Sequence, residues 1–314
     1  MKLSKIIAYL NQLNSITPDV NFDPARREME KILHVVQSSD IQFDDQRLML
    51  EQQYDKIMST LTSFALTLDE IKQQLKLRRD ALEPDYLQTS QRIYEHEMPL
   101  ESNQYILDRR LKMDSDSATL LTSRLHNLAD WRLPGMILRP GTESFVEDLV
   151  PMDPLYLVDQ HQDLLTPSVI KFTPEYQRRL RQYVIDERRG GEFLSILPSN
   201  QFGLVFAYNY FNYKPIGVIT QYLDQLYHKL RPGGTLIMTF NDCDTEQGVG
   251  LAERFFMCYT PARMIVAHAE RVGFEIANYY NGAGDVSWLE LTKPGKIVSI
   301  RGGQTLAKIF VKSK

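Results

Sequence analysis

Apolar residues fall at helical steps through the first part of the chain and in short runs through the remainder. Near the amino end, Ile6, Ile7, Leu10 and Leu13 recur at helical spacing, while Lys5, Asn11, Gln12 and Asn14 interrupt any signal-type apolar run, so a docking helix is expected. Asp23 before Pro24 offers an N-cap and a first-turn proline, and Met29, Ile32, Leu33 and Val36 line one face of a helix expected to end near Ser39. From Phe43 to Leu82 apolar residues continue at steps of mostly three and four, among them Leu48, Ile57, Phe64 and Ile71, which predicts one long amphipathic helix. Within it Tyr54, Met58, Leu61, Leu68 and Leu75 approximate a seven-residue repeat, so its partner is either another helix of the same chain or a helix of a second copy. After Pro84, shorter helices are expected around Tyr86 to Met98 and Gln104 to Met113. Asp114 to Ser117 then form the polar start of a last helix carrying Leu120, Leu121, Leu125 and Leu128. Glycine is absent from Asp23 to Leu128, which favours helix throughout.

The texture changes at Trp131, Leu133, Pro134 and Gly135, where a boundary is expected: residues 1–130 as an all-α, coiled-coil-like domain and 131–314 as an α/β domain. Strands are predicted at Gly135 to Leu138, Leu155 to Val158, Phe193 to Leu197, Phe202 to Tyr208, Thr235 to Phe240, Phe274 to Tyr280 and Thr305 to Val311. Helices are predicted at Ser144 to Val150, Pro174 to Ile185, Ile216 to Leu230 and Pro261 to Val272.

With 314 residues, 43% hydrophobic and 24% charged, the chain has apolar material for two domains. A formal net charge of −4 gives no support to a general attraction to nucleic acid or anionic lipid. The run Lys76, Arg78, Arg79, Asp80 has no interleaved aromatics and reads as a solvated helix end. No segment approaches the roughly 20 apolar residues that cross a bilayer. Cys243 and Cys258 lack partners at ligand spacing, so no metal site or disulfide framework is expected and a reducing, cytoplasmic setting fits.

Candidate chemistry gathers at the first α/β unit. Met136, Ile137 and Leu138 lead into the turn Arg139-Pro140-Gly141-Thr142, where a ligand can approach the backbone closely. The second strand ends at Asp159, placed to accept hydrogen bonds from the two hydroxyls of a ribose. In open sheets the carboxyl edge faces the binding crevice, so Asn209, Tyr210 and Phe211 after strand four are candidates to line an acceptor pocket. His161, just beyond Asp159, is the candidate proton acceptor; His228 and His268 fall in predicted helices.

Together, P-G-T after strand one, V-D-Q-H at strand two and L-R-P-G-G-T-L-I-M-T-F-N-D at 230–242 resemble the class I S-adenosylmethionine-dependent methyltransferases, from about Gly135 onward. The resemblance implies a Rossmann-like, seven-stranded sheet with a reversed last strand, S-adenosylmethionine as cofactor and methyl transfer to an acceptor the sequence does not identify. It also implies cofactor contacts at Gly141, Thr142 and Asp159, with Asn200 as an adenine contact. Where the family places an acidic residue and then Gly-x-Gly-x-Gly, however, this chain has Ile137, Arg139, Gly141 and Glu143. Arg139 either pairs with the methionine carboxylate of the cofactor or fills the site by pairing with Glu143 or Asp159. A different class of function therefore stands beside the enzyme: a domain that kept the fold without catalysis, an interaction module joined to a helical arm that assembles with further copies or a larger particle. A nicotinamide dehydrogenase would need a fuller glycine fingerprint.

Overall fold

A computed structural model describes residues 2–19, 27–28, 30–32, 34–35, 38, 44–97, 113–142, 144–281 and 287–296. The chain divides into two compact units, Met1–Pro84 and Asp85–Lys314. The first contains α1 (Leu3–Asp19) and most of α2 (Asp44–Glu97), with the described residues between 27 and 38 also helical. Ile6, Ile7 and Leu10 of α1 are buried, as their spacing predicts, and so is Leu3, whereas Leu13 is half-buried. Asp23, Pro24, Met29, Leu33 and Val36 lie outside the described residues, as does most of the predicted helix at Gln104 to Met113.

The long helix does not stop before Pro84. It continues to Glu97, although a proline inside a helix removes one backbone donor and costs about 3 kcal/mol. Contacts within the second unit offset that loss: Ser90 Oγ accepts from the Tyr259 N–H at 2.8 Å, and the Tyr86 hydroxyl donates to Glu253 at 2.8 Å. The Tyr86 and Tyr259 rings meet at 5.4 Å. Tertiary packing overrides the local signal.

In the second unit, α3 (Ser115–Leu128) starts at Asp114, whose carboxylate accepts from the N–H groups of Asp116 and Ser117. The sheet follows: β1 (Gly135–Leu138), β2 (Leu155–Asp159), β3 (Leu180–Val184), β4 (Phe202–Ala207), β5 (Leu230–Phe240), β6 (Glu275–Asn281) and β7 (Ser287–Thr292). Their order is β3-β2-β1-β4-β5-β7-β6. The first five are parallel, and β7 runs antiparallel to both β5 and β6. Between the strands lie α4 (Gln162–Ile170), α5 (Pro174–Gln177), α6 (Ile216–Lys229), α7 (Glu246–Glu253) and α8 (Ala262–Val272).

Alternation along the central strands builds two cores. Met136, Leu138, Tyr156, Val158, Val205, Ala207 and Leu236 face a core shared with α6 and α8. Ile137, Leu155, Leu157, Leu204, Phe206 and Ile237 face the other way, into a core shared with α3 and α4. Residues buried on both faces explain why β1, β2 and β4 read as unbroken apolar runs. The seven-stranded sheet with a reversed final strand is the one the family resemblance implies.

Three expected elements differ. Phe193 to Leu197 is a turn segment, not a strand; Phe193, Leu194 and Leu197 reach into the core from it. The third strand is instead Leu180–Val184, inside the helix predicted for Pro174 to Ile185, of which only Pro174–Gln177 is helical. Ser144 to Val150 contains a short 3-10 turn at Ser144–Val146. The predicted strand at Thr305 to Val311 lies outside the described residues. Among the described residues no helix is long and apolar enough to cross a membrane, and no group of three or more His, Cys, Asp or Glu side chains is placed to hold a metal.

Candidate active-site crevice

The parallel strands all end on one edge, and the segments leaving them carry a cluster of buried polar groups. Arg139 follows β1 and Asp159 ends β2. Glu187 lies in the 3-10 turn after β3, and Asn209, Tyr210 and Lys214 follow β4. This is the edge at which open α/β sheets bind ligands.

Arg139 stands where the family resemblance calls for glycine, and its backbone keeps a glycine-like conformation with φ +59°. Its N–H donates to Val158 O at 2.8 Å, extending the pairing of β1 with β2. A left-handed conformation disfavours a residue with a Cβ, at an expense of roughly 1–3 kcal/mol. The side chain this turn projects reaches the carboxylate of Asp159, Nε to Oδ2 at 3.4 Å, with the two side chains 1% and 0% exposed. The guanidinium also lies 4.9 Å from the centre of the Tyr210 ring. The other Asp159 oxygen accepts from the His161 N–H at 3.0 Å. Arg139 thus pairs with Asp159; Glu143 lies outside the described residues.

Gly141 has a structural reason for being glycine. A Cβ there would lie 2.5 Å from the carbonyl oxygen of Leu164, so the turn seats directly on α4. Phe145 closes the space beyond, packing on Phe206 and Tyr208 at 5.2 and 5.0 Å. The cavity left among Ile137, Arg139, Pro140, Phe145 and Tyr208 is about 10 Å³. That scarcely holds one water molecule, whereas small-molecule sites occupy roughly 300 Å³ or more.

A second ion pair completes the buried network. Lys214 Nζ donates to Glu187 Oε1 at 2.6 Å, both side chains being 2% exposed, and lies 4.4 Å from the centre of the Tyr210 ring. Tyr222 of α6 donates to Glu187 Oε2 at 2.6 Å, and its oxygen is 2.5 Å from that of Tyr210. Tyr94 of α2 donates to Glu187 as well. Burial pushes the Glu187 carboxyl up, but the Lys214 charge and the hydrogen bonds from Lys214, Tyr222 and Tyr94 outweigh it and hold the group below its ordinary value. Burial drives the hydroxyls of Tyr210 and Tyr222 well above their ordinary value, so both remain protonated donors. Two cations and two anions thus neutralise one another inside the crevice.

The fold brings Arg139, Gly141, Asp159, His161, Asn209 and Tyr210 to this one edge. The backbone of Thr142 completes the 3-10 turn Pro140–Thr142. His161 is half-buried at the N-cap of α4. Asn209 is buried with φ +50°, and its N–H donates to Thr239 Oγ1 at 2.8 Å. Asn200 does not join them. It precedes β4, at the amino edge of the parallel strands, and its side-chain oxygen accepts from Lys293 at 2.8 Å. A cavity of about 330 Å³ lined by Asn200, Gln225, His228 and Lys229 lies at that edge, away from Asp159. The sequence reading missed Glu187, Lys214, Tyr222 and Tyr94. Glu187 lies in the charged run Asp186 to Arg189 and Tyr94 between Arg92 and Glu95, so nothing local set them apart.

The strand order, five parallel strands followed by a reversed strand set between β5 and β6, decides the architecture. The second unit has the class I methyltransferase fold. No family model matches the chain, and no curated protein matches its sequence. Among solved structures it is similar to the N-methyltransferase NodS from Bradyrhizobium japonicum WM9 in complex with S-adenosyl-L-homocysteine, at 13% identity and TM-score 0.43, over 56% of this chain and 87% of that one. It is also similar to an S-adenosylmethionine-dependent methyltransferase from Mesorhizobium loti, at 9% identity and TM-score 0.41, over 55% and 96% of the two chains. A third similarity is to human N-acetylserotonin methyltransferase in complex with S-adenosylmethionine, at 12% identity and TM-score 0.42, over 56% of this chain and 52% of that one. At such identities and scores the likeness carries no substrate or activity over to this chain.

Proposed function

We propose that the second unit is a methyltransferase-fold domain whose nucleoside position is filled by its own side chains, and that it serves as a structural or interaction module without transferring methyl groups. The observation that carries this reading is the buried Arg139–Asp159 pair, together with the cavity of about 10 Å³ beside it. S-adenosylmethionine does not fit the residues as arranged. The carboxylate suited to its ribose is already bound to a cation, and the turn suited to its methionine end carries Arg139 and packs on α4. Admitting a ribose would leave the Arg139 guanidinium buried without its carboxylate, at about 3–5 kcal/mol. That is a factor of roughly a hundred to several thousand in affinity before any contact with the ligand is made.

Methyl transfer to an unidentified acceptor is the second reading, favoured by one observation: Asp159 ends β2, the place from which a ribose is held in this fold. In that reading Asn209, Tyr210 and His161 would border the acceptor. Calorimetric titration of S-adenosylhomocysteine into the full chain separates the two. No saturable heat up to millimolar ligand is the expected result; saturable heat that Asp159→Ala abolishes would overturn the module and favour the enzyme.

A further inference from the structure

In the first unit, α2 carries Tyr54, Leu61, Leu68 and Leu75 in one row and Ile57, Phe64 and Ile71 in the row beside it. The first row is half-buried, but Ile57, Phe64 and Ile71 stand 46%, 50% and 43% exposed. On their other flank run Gln53, Thr60, Thr67 and Gln74. These three rows form a strip without a charge, on the order of 30 Å long, although the same span holds Asp55, Lys56, Asp69, Glu70 and Lys72 on other rows. Large side chains exposed in a line at seven-residue spacing suit interdigitation with a second helix, not contact with water.

We propose that this strip is the interface of a homodimer in which α2 packs antiparallel on α2 of a second copy, about a two-fold axis at Phe64. An uncharged strip offers no electrostatic complement to a charged partner, whereas a copy of itself matches it under two-fold symmetry. Charge also sets the orientation. The next position in the exposed row after Ile71 is Arg78. A parallel pair would set Arg78 against Arg78 of the second copy. An antiparallel pair centred on Phe64 instead sets Ile57 against Ile71 of the second copy and keeps the two arginines at opposite ends. This interface is independent of whether the crevice of the second unit takes a nucleoside.

Sedimentation velocity on the full chain at tens of micromolar tests it. The expected mass is about twice the 36.4 kDa of one chain. Phe64→Asp is expected to raise the concentration of half-dissociation on the order of a hundredfold or more, while Ser63→Asp, on an exposed position outside the strip, leaves the mass unchanged. Cysteine pairing reports the orientation without reliance on the charged variant. Phe64→Cys is expected to cross-link to itself on oxidation, and Ile57→Cys only when mixed with Ile71→Cys; native Cys243 and Cys258 are buried and do not compete. A one-chain mass for the unaltered protein, a dimer indifferent to Phe64→Asp, or self-linking of Ile57→Cys would each overturn the proposal.

Discussion

Replacing Lys214 with methionine keeps much of the side-chain volume but removes the cation that neutralises Glu187. The parent pair is 2.6 Å apart and 2% exposed on each side, so water does not reach the carboxylate left behind. Tyr222 and Tyr94 still donate to it, but a buried charge without its counter-ion costs about 3–5 kcal/mol. For a unit of this size that is a fall in melting temperature on the order of 10 °C. The pH dependence is more diagnostic than the size. In the parent, the carboxyl lies below its ordinary value of 4.5, so the stability from the pair is complete above that pH and is lost as pH falls through the depressed value. In Lys214→Met, burial becomes the leading influence and raises the carboxyl, so the variant is most stable in acid and loses stability as pH rises through the new value. Urea titrations from about pH 7 to about pH 4 should therefore show the gap between variant and parent closing on acidification. A gap that stays constant across this range, or a loss under about 1 kcal/mol at neutral pH, would refute the reasoning.

Other outcomes follow from single contacts. Gly141→Ala places a methyl group 2.5 Å from the Leu164 carbonyl and is expected to destabilise the second unit by about 1–3 kcal/mol in urea unfolding. Arg124 holds the fully buried Glu290 with two hydrogen bonds, at 3.0 and 2.6 Å; Arg124→Leu should cost about 2–4 kcal/mol, and most of that should return in the double variant with Glu290→Gln. Cys243 and Cys258 form no disulfide and are both buried, and burial pushes the Cys243 thiol well up. Neither should react with a thiol reagent in the folded protein, and both should on denaturation.

How far the sequence revealed the fold depended on how each strand is buried. The central strands β1, β2 and β4 are covered on both faces, and an uninterrupted apolar run marks that situation. β3 is an edge strand in which Leu180 alone is buried, so Leu-Arg-Gln-Tyr-Val carries no such run and the preceding Pro-Glu read as the start of a helix. β7 was missed because Glu290 sits at its centre; the residue is fully buried, and the arginine that makes this tolerable is on α3, far away in sequence. The segment Phe193 to Leu197 misled in the opposite sense, being apolar enough for a strand and used as a plug in the core. At the crevice, Arg139 and Asp159 were visible through their places at strand ends. Glu187, Lys214, Tyr222 and Tyr94 come from four separate stretches of chain, and no local spacing relates them.

The place of β7 also bears on how the domain is synthesised. Residues 287–292 fill the gap between β5 and β6, although β6 comes first in the chain. As the polypeptide leaves the ribosome, β6 has no neighbour to join until β7 has emerged, and the long β5 meanwhile presents an open hydrogen-bonding margin. The nascent domain is thus exposed to misassociation until its last described strand is out, and shortening the chain before residue 287 would make that transient vulnerability permanent.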